Sequence, residues 1–487
     1  MLTHHIATTT SPPATAPSGK RFPFGWEALA VVPNVETPRL TFTASPEQIA
    51  GRLRFTVALD DREEKSLEAV LAESGETVGR FDLRYADTLQ TVEVKLDPLD
   101  TFRAQSEGIY LRLTRGSSPL YVLRGTVSTE EEGDAAPDAG EDASGKVPAL
   151  LCPHLLTGTS GDRWFEFGNR LCSEDSLEAF GWHEGCVLDG LVDLAEARPK
   201  SNAEMATQQH LRRFISPDGL LVYENPHSEP FDGRIYGIEG TLPFAPLAKT
   251  YPDHPLISLA TMFWKDRIAE NGSVTDSKIA TAEGMYTAAY PMAIVSRVRR
   301  IDWLADAAIM ELRLRRERLV HEDSIYLRFN PLTGERTFRN WSRGVAWYLL
   351  GMARSLVALE DRENLEDLRE EYRRAALWVQ EYQVDGLWRA FLDDPESRVE
   401  TSGSAGIAAA LAIGAQHGLL ERDARLAAAR TLTALTAHLT PDGLLTGVAP
   451  SNKGGEPLQR SGYRVIMKTG MGLVGVLMGA LSSKPTT

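Results

Sequence analysis

"SPDGLLVY" (216–223), "VDGLWRAF" (384–391) and "TPDGLLTGV" (440–448) are three copies of one turn-and-strand motif, and their spacing decides the fold. Asp218 to Asp385 is 167 residues and Asp385 to Asp442 is 57, so the first interval is close to three of the second. The motif therefore recurs at one step, with degenerate copies expected near "NGSVTDS" (271) and "PLTGERTF" (331). A repeat of this length holds two helices and a small hairpin. The region from 150 to 487 has room for about six such units. Six helical hairpins that close on themselves make an (α/α)6 toroid, and an open solenoid is the alternative. The last apolar run, "VIMKTGMGLVGVLMGAL" (465–481), is interrupted by Lys468 and four glycines and is short for a membrane span. It reads as a final buried helix that needs cover, which favours closure.

The side-chain periods agree. Apolar residues recur three and four apart in "FGWHEGCVLDGLVDLAEA", "HPLISLATMFWKDRIA", "VAWYLLGMARSLVAL" and "SGSAGIAAALAIGAQHGLL". Before them, residues 22–127 alternate apolar and polar in short bursts such as "GRLRFTVALD", "TVEVKLD" and "GIYLRLTR", the pattern of a smaller β-sandwich domain. The expected organisation is a disordered Thr/Pro/Ala tail (1–21), the β-sandwich (22–127), an acidic flexible linker (128–148) and a toroidal domain (149–483).

Composition narrows the function. A hydrophobic content of 43% and a charged content of 24% belong to an ordinary globular protein. A net charge of -15 argues against a general nucleic-acid binder. Three cysteines without CxxC spacing read as buried thiols in a reducing compartment. No basic n-region with an apolar stretch opens the chain, so a cytoplasmic location is expected, with no membrane partner.

The candidates for chemistry sit at helix starts, where positive dipole ends suit anionic ligands. Aromatic rings are dense there: Trp182 with His183, Tyr236, Tyr286 and Tyr290, Trp341 and Trp347, and Trp388. Any one of them can be core, but rings stack on sugar faces while polar groups fix hydroxyls. Glu239 ("YGIEGTLPF") and Glu283 ("ATAEGMYTA") each precede a glycine and an apolar helix. Either can be a first-turn dipole partner, or a general acid made by apolar surroundings. Glu184 and Glu400 rank behind them. Arg343, between two tryptophans in "FRNWSRGVAWYLLGM" (338–352), suits a carboxylate. Histidine spacing suggests no metal site, and no phosphate loop or nucleophile elbow is present; no cofactor is expected.

"NWSRGVAWYLLGMARSL" resembles the W-x-R-G-x-x-W segment of the unsaturated glucuronyl and unsaturated rhamnogalacturonyl hydrolases, glycoside hydrolase families 88 and 105. "DGLWRAFLDDPESRVETSGSAGIAAALAIGAQHGLL" and "WHEGCVLDGLVDLAEA" are similar to further segments of these families, over 180–480 with gaps. The resemblance implies an (α/α)6 barrel that removes a 4,5-unsaturated uronic acid from the non-reducing end of oligosaccharides by hydrating its vinyl ether. It implies Glu283 as principal acid/base with Glu239 as its carboxylate partner. It also implies Arg343 on the uronate carboxylate, with Trp341, Trp347, Trp182, His183, Tyr286 and Trp388 around the sugar. The families' pocket carboxylates are typically aspartates, and glutamates stand at the matching positions here. Hydrolysis of saturated β-glucuronides therefore stays open, as does a polysaccharide lyase using Tyr286 or Tyr290 with His183. The expected partner is a uronic-acid-containing oligosaccharide, and a homodimer is an assembly open to the chain.

Overall fold

The computed structural model describes residues 1–42, 46–125, 146–270, 272, 274 and 279–483. The chain forms two compact units. The first comprises Met1–Glu166 with Tyr223–Pro230 and Pro441–Gly443; the second comprises Phe167–Val222, Phe231–Thr440 and Leu444–Thr487.

The first unit is β-rich. Its strands are β1 (Thr3–Thr8), β2 (Ala28–Val31), β3 (Thr41–Phe42), β4 (Gly51–Thr56), β5 (Glu64–Leu71), β6 (Thr77–Arg84), β7 (Thr91–Leu96), β8 (Ile109–Arg115), β9 (Leu120–Leu123) and β10 (His154–Thr157), with helix α1 (Pro98–Glu107) after β7. A five-stranded sheet runs β3-β1-β10-β4-β7, a three-stranded one β6-β5-β8, and β2 pairs with β9. Alternate residues of each sheet, among them Leu53, Phe55, Leu67, Phe81 and Leu111, enter one core. Phe55 of the larger sheet meets Phe81 of the smaller at 4.9 Å between ring centroids, the face-to-face packing of a sandwich.

Two boundaries are corrected. The expected tail holds β1, which pairs with β10 and β3. Ile6 is the one large aliphatic residue of β1 and gave no alternation to read, and the strand is held by main-chain pairing and by His5 Nε2 at 2.9 Å from Thr157 Oγ1. Strand β10, expected in the toroidal domain, belongs here. Of the expected acidic linker, residues 128–145 lie outside the described residues.

The second unit is a ring of helices. Helix α2 (Arg163–Leu171) leads into α3 (Trp182–Ala197), α4 (Ala203–Arg213), α5 (Phe244–Thr250), α6 (Leu256–Lys265), α7 (Tyr290–Arg299), α8 (Asp302–Leu319), α9 (Ser342–Ala358), α10 (Glu366–Gln380), α11 (Thr401–Gln416), α12 (Arg422–Leu435), α13 (Gly455–Arg460) and α14 (Lys468–Ser482). The inner ring is α3, α5, α7, α9, α11 and α14, whose apolar sequence is buried nearly all round. Outer helices are amphipathic: α10 buries Leu368, Tyr372, Ala375, Ala376 and Val379 and leaves its charged face to solvent. Glycines let the inner helices touch backbone to backbone. A Cβ at Gly472 of α14 would lie 2.3 Å from the Cys186 carbonyl oxygen, and one at Gly190 of α3 would lie 2.2 Å from that of Gly472. These contacts join the last inner helix to the first, so the ring closes and the solenoid alternative falls. Among the described residues no helix is long and apolar enough to cross a membrane.

The repeated motif is a tight turn after each outer helix, bridged Ile215–Leu221, Ile268–Val274, Val384–Leu387 and Leu439–Leu445. Gly219, Gly272, Gly386 and Gly443 sit there at φ +81°, +79°, +84° and +86°, a conformation that favours glycine. The remaining copy lies earlier than expected. It is the pairing of β12 (Val320–His321) with the start of β13 (Ser324–Phe329), turning through Glu322 and Asp323 at positive φ. "PLTGERTF" is instead the hairpin from β13 to β14 (Arg336–Arg339), a separate insertion that also pairs β11 (Ala280–Thr281).

Candidate active site

Long connections join each outer helix to the next inner one, so the inner helices all begin at one end of the ring, its mouth. Trp341 precedes α9 in extended conformation (φ -70°, ψ 120°) and Trp347 lies inside the helix. The Arg343 guanidinium lies over the rings of Trp341 (4.9 Å) and Trp182 (5.4 Å). Trp182 meets Trp347 edge-on at 5.7 Å, and Trp347 stacks on Tyr286 at 5.7 Å. His183 lies against Trp182, centroids 3.6 Å apart, with Nδ1 3.3 Å from Thr469 Oγ1 at the start of α14. Six of the seven residues expected around the sugar therefore form one cluster.

Within that cluster the roles differ from expectation. Trp341, Arg343, Trp347 and Tyr286 are buried and form a backing layer. Arg343 was expected to clasp a uronate carboxylate. Instead Nη1 donates to the Ala449 carbonyl at 2.5 Å and Nη2 to that of Pro450 at 2.6 Å. Its planar fork braces the segment between α12 and α13. Tyr286 donates its hydroxyl to Asp189, and Tyr290 donates to the same carboxylate at 2.8 Å. Burial pushes both phenols well above their ordinary range, with the Asp189 charge adding to it. Such phenols are poor bases, which weakens the lyase alternative. Trp388 is the outlier: fully buried, it donates its indole N–H to the Val379 carbonyl at 2.7 Å. It is core between α10 and α11, and no ring contact joins it to the cluster among the described residues.

Glu283 stands just before a turn of π-helix (Met285–Ala289) that leads into α7. The residue is 9% exposed, and Oε2 is buried with no hydrogen-bond partner among the described residues. π-Turns inside helices recur at functional sites. Glu239 is half-buried in the neighbouring turn Ile238–Thr241. The Thr241 hydroxyl donates to the carbonyl of Thr287, so the two glutamate-bearing turns are tied together. Trp182 and Glu239 are half-buried, and His183 and Glu283 are each 9% exposed.

The second-rank acids are structural. Glu184 is fully buried, 2.7 Å from His210 Nδ1, and accepts the Glu178 N–H at 2.8 Å. Glu400 caps α11: its carboxylate accepts the N–H groups of Ser402 (2.8 Å), Gly403 (2.5 Å) and Ala449 (2.9 Å) and is 3.3 Å from the Ser342 hydroxyl.

Sequence reasoning missed other buried charges. The Lys468 N–H donates to Glu178 at 2.6 Å, and burial lowers the Lys468 ammonium pKa, with Glu178 opposing. The signal was present as the cation interrupting an apolar run. Deeper in the ring, Arg354 lies 2.9 Å from Asp189 and also pairs with Asp193. A cavity of about 370 Å³ lies beyond them, lined by Asp193, Lys249, Tyr290, Arg354 and His417. It occupies the C-terminal end of the inner helices, opposite the aromatic mouth.

A closed six-hairpin ring with aromatic rings and two carboxylates at its mouth is the architecture of a class of carbohydrate-active enzymes. The sequence profile of Glycosyl Hydrolase Family 88 matches residues 172–482. The chain belongs to that family and is a glycoside hydrolase. No curated protein matches it. Many solved structures are similar to it in fold, three of them as follows. A glycoside hydrolase of family 105 from C. acetobutylicum is 17% identical, with a TM-score of 0.55, over 65% of this chain and 99% of that one. A family 88 glycosyl hydrolase from Bacteroides vulgatus is 16% identical, with a TM-score of 0.52, over 66% and 97%. An unsaturated glucuronyl hydrolase specific for heparin is 13% identical, with a TM-score of 0.50, over 65% and 94%.

Proposed function

We propose that the protein releases a terminal 4,5-unsaturated uronic acid from oligosaccharides. The observation that carries this reading is Glu283: a largely buried carboxyl whose Oε2 has no hydrogen-bond partner among the described residues, in the turn that leads to Tyr286 of the ring cluster. A carboxyl so placed can deliver a proton to carbon rather than hold an ion pair. In the proposed reaction Glu283 protonates C4 of the unsaturated ring, and positive charge develops at C5 and the ring oxygen. Water adds at C5 and returns its proton to the Glu283 carboxylate, with Glu239 orienting it. The resulting C5 hemiketal opens to a ketone. The freed ring oxygen becomes a hydroxyl on C1, and that hemiacetal releases the remaining sugar as its alcohol. Trp182 offers the stacking face. In this reading Trp347 and Arg343, buried behind it, hold that face in place. One structural neighbour, an unsaturated glucuronyl hydrolase specific for heparin, accords with this reading. A cytoplasmic site of action is part of the proposal.

The test is a lyase-generated unsaturated disaccharide followed by its ultraviolet absorbance. Loss of the conjugated double bond, with release of the second sugar, is the expected result. Turnover of a saturated β-glucuronide in its place would overturn the reading in favour of ordinary hydrolysis. Gain of that absorbance on a uronate polymer would identify a lyase.

A further inference from the structure

The turn that carries Glu283 is gripped by a buried arginine. Arg315, near the end of α8, is 3% exposed. Its Nη1 donates to the carbonyl of Thr281, two residues before Glu283, at 2.6 Å. On the other side of Glu283 the guanidinium lies against Gly284. A Cβ there would overlap Arg315 Cζ and both terminal nitrogens, coming 2.5 Å from Nη1. Gly284 has φ -64° and ψ -16°, a helical backbone that any residue adopts. Its side chain is therefore missing for space, not for conformational freedom.

The guanidinium is itself fixed. Nη2 donates to Glu311 Oε1, one turn earlier on α8, at 3.0 Å, and the same oxygen accepts the Val274 N–H at 3.2 Å. Glu311 is 1% exposed and, among the described residues, is the one acid paired with Arg315. A buried ion pair adds little stability over apolar side chains of the same volume. What apolar side chains cannot do is donate to the Thr281 carbonyl from against Gly284. On its other flank the turn is tied to β13, where the Leu327 carbonyl accepts the Ala282 N–H at 2.8 Å. Glu283 Oε2 has no hydrogen-bond partner among the described residues, so the main chain on either side decides where this oxygen points.

We propose that Arg315 is a positioning residue for Glu283: seated against Gly284, tied to Thr281 and held by Glu311, it sets the turn from which the carboxyl reaches the substrate. The proposal rests on the reading of Glu283 as proton donor given above. Gly284→Ala pushes the guanidinium off its seat without removing a charge. Arg315→Lys keeps the charge opposite Glu311, but an ammonium has no planar fork to serve Thr281 and Glu311 together.

The experiment measures kcat and KM on the unsaturated disaccharide for wild type, Gly284→Ala, Arg315→Lys, Glu283→Gln and the double variant Gly284→Ala/Glu283→Gln, with thermal unfolding of each. Gly284→Ala and Arg315→Lys should each lower kcat about tenfold to a hundredfold, the scale of a displacement near 1 Å, and leave KM within about twofold. In the Glu283→Gln background Gly284→Ala should cost nothing further, because the group it displaces is already gone. A merely structural substitution lowers the folded fraction and adds its loss in both backgrounds. Near-wild-type kcat in either single variant that folds, an equal loss in the Glu283→Gln background, or failure of both single variants to fold would overturn the proposal. If Glu283→Gln turns over at the wild-type rate, or wild type does not turn over at all, the reading of Glu283 fails instead. Crystal structures of wild type and Gly284→Ala then decide: a Glu283 carboxyl displaced together with Arg315 supports the positioning role, and an unmoved carboxyl overturns it.

Discussion

Arg343 reaches from the first turn of α9 to the carbonyl of Ala449 at 2.5 Å, and with its second terminal nitrogen to the next carbonyl along. One side chain thus ties an inner helix to the connection between α12 and α13 while its face lies over Trp182 and Trp341. An ammonium has no planar fork to match two adjacent carbonyls. Arg343→Lys should cost roughly 1.5–3 kcal/mol of stability, read from the denaturant midpoint. It should also lower kcat/KM by more than the folded fraction lost, because the loop beside the mouth is released.

Tyr286 separates hydrolase from lyase. Its hydroxyl donates to the buried Asp189, so Tyr286→Phe should destabilise the ring by about 1–3 kcal/mol through an underused acceptor. Turnover of the unsaturated disaccharide should stay within about tenfold of wild type once folded protein is counted. Loss on the scale of general acid–base catalysis, roughly a hundredfold or more, would point to the phenol as a base.

The Glu184–His210 pair gives stability a pH dependence of known sign. Burial raises the Glu184 carboxyl above its usual 4.5. Burial alone would lower His210, but the Glu184 charge and hydrogen bond, with the Ser173 carbonyl and Glu174, together outweigh it and leave the imidazole above its usual 6.5. Acting as a unit, the pair keeps its shared proton in the folded state at pH values where the unfolded chain has released it. The folded state then binds more protons, so this contribution is present at acid pH and declines as pH rises from about 4.5 through 6.5 and beyond. Thermal unfolding of wild type and a Glu184→Gln/His210→Gln variant should show a difference that shrinks from pH 5 toward pH 8. A difference that grows would reverse the sign.

The ring was legible because it is periodic. A turn that needs positive φ after each outer helix writes glycine at Gly219, Gly386 and Gly443, and a fixed step follows. Where the turn uses Glu322 and Asp323 instead, the signal vanished, and a nearby Gly-containing hairpin drew the assignment to the wrong place. The aromatic cluster was legible as a set but not member by member. Trp388 and Trp347 look alike in sequence, and only the indole bond to Val379 shows that one is core. Hydrogen-bond partners are long-range facts: nothing near Arg343 says that Ala449 and Pro450 will take its donors. Strand β1 escaped because main-chain pairing leaves no mark on composition.

The central claim is that Glu283 supplies the proton. Glu283→Gln keeps the shape and removes the acid, and because Oε2 has no hydrogen-bond partner among the described residues, folding should be nearly unaffected. The decisive measurement is single-variant kinetics on the unsaturated disaccharide, with thermal unfolding as the control. The expected result is a fall in kcat of roughly a hundred- to ten-thousandfold at unchanged Tm. Turnover near the wild-type rate by a folded Glu283→Gln protein would contradict it.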